Sequence, residues 1–354
     1  MTLNHPIIRL QGSPFERGLI YGSAAAKKVA HSIETYSTLF AGHAGLSWEK
    51  AVALARQFEG PIQEYLPSAI EEMKGIAQGA GVTYGDILAL NCRSEIMFAR
   101  PDGCSVIAVL PESSADGHTY LAQTWDWIMP ARASTVILDI RQEPLPRLLM
   151  VAEAGMVGGK GFNDKGIGVA LNALTTGKGR VGVPLHILYR GILNASLLTD
   201  AMERVTRSKR AGCGNFTIAS AEGLAFCMEY TPENFDVLTT DGEPLYHTNH
   251  YLSPLFIAED KLKFQITDTY VRLNRIRRAA KPYVGKLNVE TIMKVLGDHA
   301  NCPDSVCSHE DMHDPVSMRM CSVYAVVMDL NSQCLWVTNG YPCEGPAYPV
   351  KFEY

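Results

Sequence analysis

The sequence predicts an α+β fold in which helices and hairpin-linked strands stack in layers, and three observations carry that expectation. The first hundred of the 354 residues are patterned as helices. From Cys104 onward, short apolar, β-branched runs dominate, separated by Gly, Asp and Asn turns. Helical patterns return only in blocks, near 185–208, 266–282 and 289–299, rather than alternating strictly with strands.

Pro6-Ile7-Ile8-Arg9-Leu10, closed by Gln11-Gly12, predicts a short strand and a turn. Pro14 opens a long helix running past Ala24-Ala25-Ala26 to Val29, Ile33 and Leu39. Ser47 reads as the cap of a helix over about 48–58, with Lys50 where a capping box would carry Glu. Pro67 opens another helix, ended by Gly79-Ala80-Gly81, and 83–96 reads as a third. Strands are expected at 104–110, 119–125, 134–140, 147–153, 167–172, 215–220, 224–230, 235–239, 323–329 and 334–338. Asp116-Gly117 signals a hairpin between the first two. The glycine-rich run from Gly155 to Gly161 lacks the Gly-Lys-Ser/Thr ending of a phosphate loop and predicts a turn between strands.

At 47% hydrophobic and 19% charged the composition is that of an ordinary globular protein, and a net charge of -5 weighs against nucleic acid as the main ligand. The dense positive stretch Arg272, Arg275, Arg277, Arg278, Lys281 has helical spacing and predicts a solvated helix face. The N-terminus has no basic region followed by a long apolar core, and no apolar run approaches the roughly 18 residues of a membrane span. The expected compartment is therefore the cytoplasm, where nine scattered cysteines read mostly as buried thiols. Cys302, Cys307, His309 and His313 are dense enough for zinc, but their spacing is not a standard finger pattern, so no metal and no cofactor are expected.

The candidate site is Gly103-Cys104. Pro101-Asp102-Gly103 reads as a turn, and Cys104 opens the apolar run to Leu110. A thiol at the first residue of a strand suits the nucleophile of a self-cleaving amidohydrolase, although unpaired Cys is also among the most buried residue types. Were the Gly103-Cys104 bond cut, Cys104 would carry its own base, since an α-amine titrates near about 7.7–8.0 and can take the thiol proton. Asp126, bracketed by Trp125 and Trp127, could hold that amine or a substrate ammonium, or be a plain turn acid. Asn249, in His247-Thr248-Asn249-His250, offers an oxyanion donor or an amide that satisfies loop backbone.

A series of signatures runs through the chain in order. It begins with Gly12-Ser13-Pro14-Phe15-Glu16-Arg17-Gly18 and Gly22, then the run from Glu72 to Gly81, then Asn91, Arg93 and Glu95. Asp102-Gly103-Cys104, Gln123-Thr124-Trp125-Asp126 and the run from Gly159 to Gly168 follow. The series closes with Glu229-Tyr230-Thr231-Pro232, His247–His250, Asp298-His299 with Cys307, Val326–Leu330 and Gly340–Cys343. In this order the chain resembles the acyl-coenzyme A:6-aminopenicillanic acid acyltransferase family, also called isopenicillin-N N-acyltransferase-like proteins, which are N-terminal nucleophile hydrolases.

The resemblance implies a four-layer αββα fold made as one precursor. That precursor would cut itself at Gly103-Cys104 into a helical pro-segment, 1–103, and a catalytic part, 104–354, that stay associated as one unit. It implies Cys104 as nucleophile, Asp126 as the acid near its amine and Asn249 as oxyanion donor. A late Ser/Arg element of the family has no residue-by-residue match; Arg319, near Ser317, is the candidate left for it, with His250 as a further site candidate. The expected activity is attack on an amide or thioester carbonyl through an acyl-enzyme. Hydrolysis of a small N-acyl amine or amino-acid amide is favoured, β-alanyl amines among them, and homo-oligomerisation is left open. The alternatives are a coenzyme A-dependent N-acyltransferase, an unprocessed Cys/His hydrolase using His118, His247 or His250, and a non-catalytic binding protein on the same scaffold.

Overall fold

The computed structural model describes residues 2–97, 103–316 and 319–353, apart from the side chain of His43. After strand β1 (Ile7–Leu10), helix α1 (Pro14–Leu39) starts on a capping box in which Ser13 and Glu16 satisfy each other's backbone N–H. Ser47 caps α2 (Trp48–Ala55) by accepting from the Lys50 N–H, and α3 (Glu59–Tyr65) follows. α4 (Pro67–Ala80) ends on left-handed Gly81, as its Gly-Ala-Gly tail predicts. Thr83 caps α5 (Tyr84–Asn91), and the expected third helix breaks at Cys92 before α6 (Arg93–Ile96).

Helices α1 and α4 touch backbone to backbone. A Cβ on Gly18 would stand 2.0 Å from the Glu72 carbonyl oxygen, and one on Gly75 would stand 2.1 Å from that of Phe15. Only glycine permits that approach. Buried ion pairs pin the same layer. The Glu72 carboxylate accepts from Arg17 and, at 2.9 Å, from Arg190, while Arg93 meets Glu153 at 3.1 Å.

The remaining elements are β2 (Gly103–Val109), β3 (Tyr120–Ile128), α7 (Ala131–Ser134), β4 (Thr135–Ile140), β5 (Leu148–Glu153), β6 (Lys160–Asn163) and β7 (Ile167–Ala173). Then come α8 (Leu185–Leu193), α9 (Leu198–Thr206), β8 (Gly214–Ser220), β9 (Leu224–Tyr230), β10 (Phe235–Leu238) and β11 (Leu245–His247). Last are α10 (Asp268–Ala280), α11 (Val289–Leu296), β12 (Met320–Asp329), β13 (Cys334–Val337) and β14 (Tyr348–Lys351). One sheet has the order β1-β4-β5-β6-β7-β8-β9-β10, and the other β11-β2-β3-β12-β13-β14. Every strand pair among the described residues is antiparallel except β1–β4.

Helices α1, α8 and α9 pack on the first sheet and α10 and α11 on the second, while β2 and β3 face β7 across the middle. This is a four-layer αββα stack. The Gln123 side chain ties the sheets by donating to the Leu171 carbonyl at 2.6 Å and accepting from its N–H at 3.1 Å. Alternation along β2 sends Cys104, Val106 and Ala108 into the core between the sheets, and Ile107 and Val109 toward α10 and α11.

Three local readings change. The single helix expected over 185–208 is two, because the Asn163 side-chain amide takes the Leu193 and Ala195 carbonyls and ends α8 there. The strands β6, β11 and β14 escaped the sequence pattern, being three or four residues long. The strands flanking Asp116-Gly117 do pair, but a link with a 3₁₀ turn at Pro111–Ser113 joins them in place of a two-residue hairpin.

Candidate active site

Cys104 is buried as the second residue of β2, an interior strand held between β11 and β3. Pro101 and Asp102 of the expected turn lie outside the described residues. Gly103 opens the strand directly opposite Asp126 in the ladder. A Cβ on Gly103 would stand 3.1 Å from the Asp126 Cβ and 3.3 Å from its Oδ2, so a side chain here would crowd the carboxylate.

The main chain of Cys104 is held on both sides. Its N–H donates to Asn249 Oδ1 at 2.9 Å. Its carbonyl accepts from Arg272 at 2.8 Å and from the Asn172 amide at 3.2 Å. Arg272 also donates to Asn249 Oδ1 at 3.0 Å, to Ser105 Oγ at 3.3 Å and to the Asp268 carboxylate at 2.6 Å. Asn249 in turn donates to the Ala173 carbonyl at 3.2 Å, and its own N–H is held by Thr269. One guanidinium thus ties α10 to the first turn of β2 and to the loop after β11.

Asp126 lies on the α10 side of the sheet, opposite the face that carries the Cys104 thiol. It accepts from Ser322 Oγ at 2.6 Å on the neighbouring strand β12. Placed there, its carboxylate lies beside Gly103, on the face of the sheet away from the thiol. On the thiol side, Trp125 is paired with Cys104, and the Lys160 ammonium stands 4.4 Å from the indole ring centre.

A cavity of about 920 Å³ opens beside this end of the sheet, lined by Gly103, Asp126 and Arg272 together with Asp268, Asp304, Asp311 and Asp314. Burial and then the charges of Asp268, Asp311 and Asp314 push the Asp304 carboxyl above its ordinary range. The cavity wall is therefore crowded with negative charge, and among its described lining residues Arg272 and His309 are the basic side chains.

The structure brings Cys104, Asp126 and Asn249 together and leaves out Arg319, which donates instead to the carbonyls of Met312 and Asp314 in its own loop. Its neighbour Ser317 lies outside the described residues. His250 bonds to Thr269 and packs against Tyr270 with the rings tilted by 35°, and burial, then the charges of His247 and Arg272, hold its pKa down at about 3. His247 uses both ring nitrogens, on Glu229 and the Thr248 carbonyl. His118 pairs with Asp329 beyond the far end of the β2–β3 ladder, roughly 20 Å of strand from Cys104.

The expected solvated face of α10 needs correcting. Arg272 is buried beneath Cys104, and helical spacing could not say which arginine of the stretch turns inward. Asn172 also went unnoticed. The run containing Cys307 and His309 folds differently from its linear reading. Those two residues gather with His299 and Cys343, while Cys302 and His313 stay out of the group.

A family model described as acyl-coenzyme A:6-aminopenicillanic acid acyl-transferase matches residues 113–343. The chain belongs to that family. The matched range begins after Cys104, so the match itself does not include the candidate nucleophile. The chain is 28% identical over 307 residues to the 40 kDa form of acyl-coenzyme A:6-aminopenicillanic-acid-acyltransferase from Emericella nidulans, covering 85% of this chain and 84% of that one. Among solved structures, a variant of conjugated bile acid hydrolase from Clostridium perfringens superposes with a TM-score of 0.50 at 12% identity, over 71% of this chain and 97% of that one. A Caenorhabditis elegans N-acylethanolamine-hydrolyzing acid amidase ortholog gives a TM-score of 0.48 at 14% identity, over 64% and 93%. The acyltransferase-family chain has the αββα N-terminal nucleophile hydrolase fold. No helix among its described residues is long and apolar enough to cross a membrane.

Proposed function

We propose that this protein is a self-processing amidohydrolase with Cys104 as its N-terminal nucleophile, acting on a small N-acyl amine or amino-acid amide. The observation that carries the reading is the two-sided anchoring of the Cys104 main chain, by Asn249 at its nitrogen and by Arg272 and Asn172 at its carbonyl. That anchoring fixes the thiol and the scissile bond in one place before any cut.

Processing begins when Cys104 Sγ attacks the Gly103 carbonyl. The Gly103–Cys104 C–N bond breaks, the nitrogen gains a proton to become the new amine, and water then hydrolyses the thioester to free the Gly103 carboxylate. In turnover the α-amine takes the thiol proton and the thiolate attacks the substrate carbonyl. The proton goes to the departing amine, and water releases the acid from the thioester. The Arg272 cation favours both the free amine and the thiolate. Asp126 orients the amine, and Asn249 turns its amide N–H₂ to the oxyanion once the Cys104 nitrogen is no longer a peptide. The acidic cavity wall suits a substrate carrying an amine, which makes β-alanyl and similar amides the first compounds to try.

Intact mass and denaturing electrophoresis of freshly expressed wild type and Cys104→Ala test the reading, with released amine measured across a panel of N-acyl compounds. The wild type should split at Gly103-Cys104 and release amine, and Cys104→Ala should do neither. An intact wild type that still turns over would sink it. If adding coenzyme A or a second amine diverts the acyl group from water, the enzyme is a transferase on the same intermediate.

A further inference from the structure

We infer that His299, Cys307, His309 and Cys343 form a closed Cys₂His₂ site for zinc. Their donor atoms lie within 4.8 Å of one another. Cys307 Sγ is 3.6 Å from Cys343 Sγ, and the Nε2 atoms of His299 and His309 are 3.1 Å apart. His309 Nε2 is 3.5 Å from Cys307 Sγ and 3.6 Å from Cys343 Sγ. A tetrahedron with Zn–S of about 2.3 Å and Zn–N of about 2.0–2.1 Å has edges of about 3.8 Å for S–S, about 3.3 Å for N–N and about 3.6 Å for S–N. These four separations fall on that figure to within a few tenths of an ångström, and His299 Nε2 lies within 4.8 Å of both sulfurs, so that ring closes in by at most about an ångström to complete the tetrahedron.

Two thiolates and two imidazoles are the donors zinc prefers, and four protein ligands leave no open position, so the site is structural. The surroundings hold the ligands in place. The Cys307 N–H donates to the Asp298 carbonyl at 3.1 Å, and its own carbonyl accepts from Ser305 Oγ at 2.6 Å. His309 stacks on Tyr341 with ring centres 4.1 Å apart, and Tyr341 lies two residues before Cys343. The linear spacing hid the site because its last ligand stands 34 residues beyond His309.

The site adjoins the cavity. Ser308, between two ligands, donates its N–H to Ser322 Oγ at 2.9 Å, and that hydroxyl donates to Asp126. A zinc ion here would fix the wall that positions Asp126 without touching the chemistry of Cys104.

The test is metal content of the full chain purified from zinc-supplemented cells, followed by exchange into cobalt(II). About one zinc per chain is expected, with the intense visible bands of tetrahedral cobalt and a sulfur-to-cobalt charge-transfer band. Cys343→Ser and His309→Asn should lose at least nine-tenths of the metal, roughly, as a broken four-ligand site does. Cys302→Ser and His313→Asn should keep it. His299→Asn, at an exposed position, serves if either of those variants fails to fold, and the cobalt spectrum of wild type needs no variant. The inference is overturned by folded wild type that holds less than about a tenth of a zinc per chain after zinc dialysis. A Cys307–Cys343 disulfide in the non-reduced intact mass, or loss of metal in Cys302→Ser, overturns it equally.

Discussion

Arg190 in the helical layer and Arg272 on the far side of the two sheets are both buried, yet they meet different partners. Arg190 gives both terminal nitrogens to the Glu72 carboxylate, which Arg17 also engages, so charge is answered by charge inside the layer. Arg272 gives only its Nε to a carboxylate, that of partly exposed Asp268, and spends its terminal nitrogens on the Cys104 carbonyl, Ser105 Oγ and Asn249 Oδ1. Those neutral oxygens bring the terminal nitrogens of Arg272 directly against the Cys104 main chain. The first arginine therefore fastens elements together, and the second does so while presenting positive nitrogens to Cys104, the proposed nucleophile.

The sharpest way to break this contrast is Glu72→Ala, which strands two buried arginines. It should cost about 3–5 kcal/mol in denaturant unfolding, with turnover per folded molecule unchanged. Arg272→Met should do the reverse, lowering kcat/KM by about 10²–10³-fold for a modest change in Tm. On the proposed processing, a cation beside the Cys104 nitrogen favours its neutral amine, so loss of Arg272 should also move the acidic limb of the pH–rate profile to higher pH. A variant that loses stability but keeps its rate and its profile would make Arg272 a fastener like Arg190. Gly22→Ala tests the helical layer by sterics alone. A methyl there would stand 2.2 Å from the Ile76 carbonyl oxygen, so α1 and α4 must separate, at about 1–3 kcal/mol in chemical unfolding.

The smallest effect is one of slope. Burial pushes Glu95 up to about 7 from 4.5, outweighing the Leu185 N–H that it accepts at 2.8 Å. A carboxyl raised in the folded state binds more protons there than in the unfolded chain, so stability falls as pH rises from about 4.5 to 7. Thermal melts across that window should show the decline in wild type and a flatter line in Glu95→Gln.

Both regions were partly legible in the sequence. Ser47, Thr83 and Gly81 sit where caps belong because capping chemistry is local. Cys104 and Asp126 could be placed at strand ends because an apolar run begins at the one and stops at the other, and only the family resemblance implied that the two ends meet. Arg272 could not be found that way, since α10 carries arginines at 272, 275, 277 and 278 and only packing selects the one beneath β2. Arg319 shows the converse: nearness in sequence to Ser317 says nothing about the carbonyls that capture its guanidinium. The glycines of α1 and α4 stood in the sequence as a signature, and the backbone contact supplies the reason for them.

Strand β1 runs parallel to β4 at the edge of the larger sheet, from Ile7↔Ile137 to Leu10↔Ile140, although the two lie far apart along the chain. A cut at Gly103-Cys104 turns that ladder, and the seat of α1 beneath it, from an intramolecular contact into a contact between polypeptides. On the proposed processing the two pieces would meet once, during folding, while still tethered at high effective concentration. After denaturation of the processed protein the same meeting is bimolecular, so the yield of refolding should depend on protein concentration as it does not for the uncut Cys104→Ala chain.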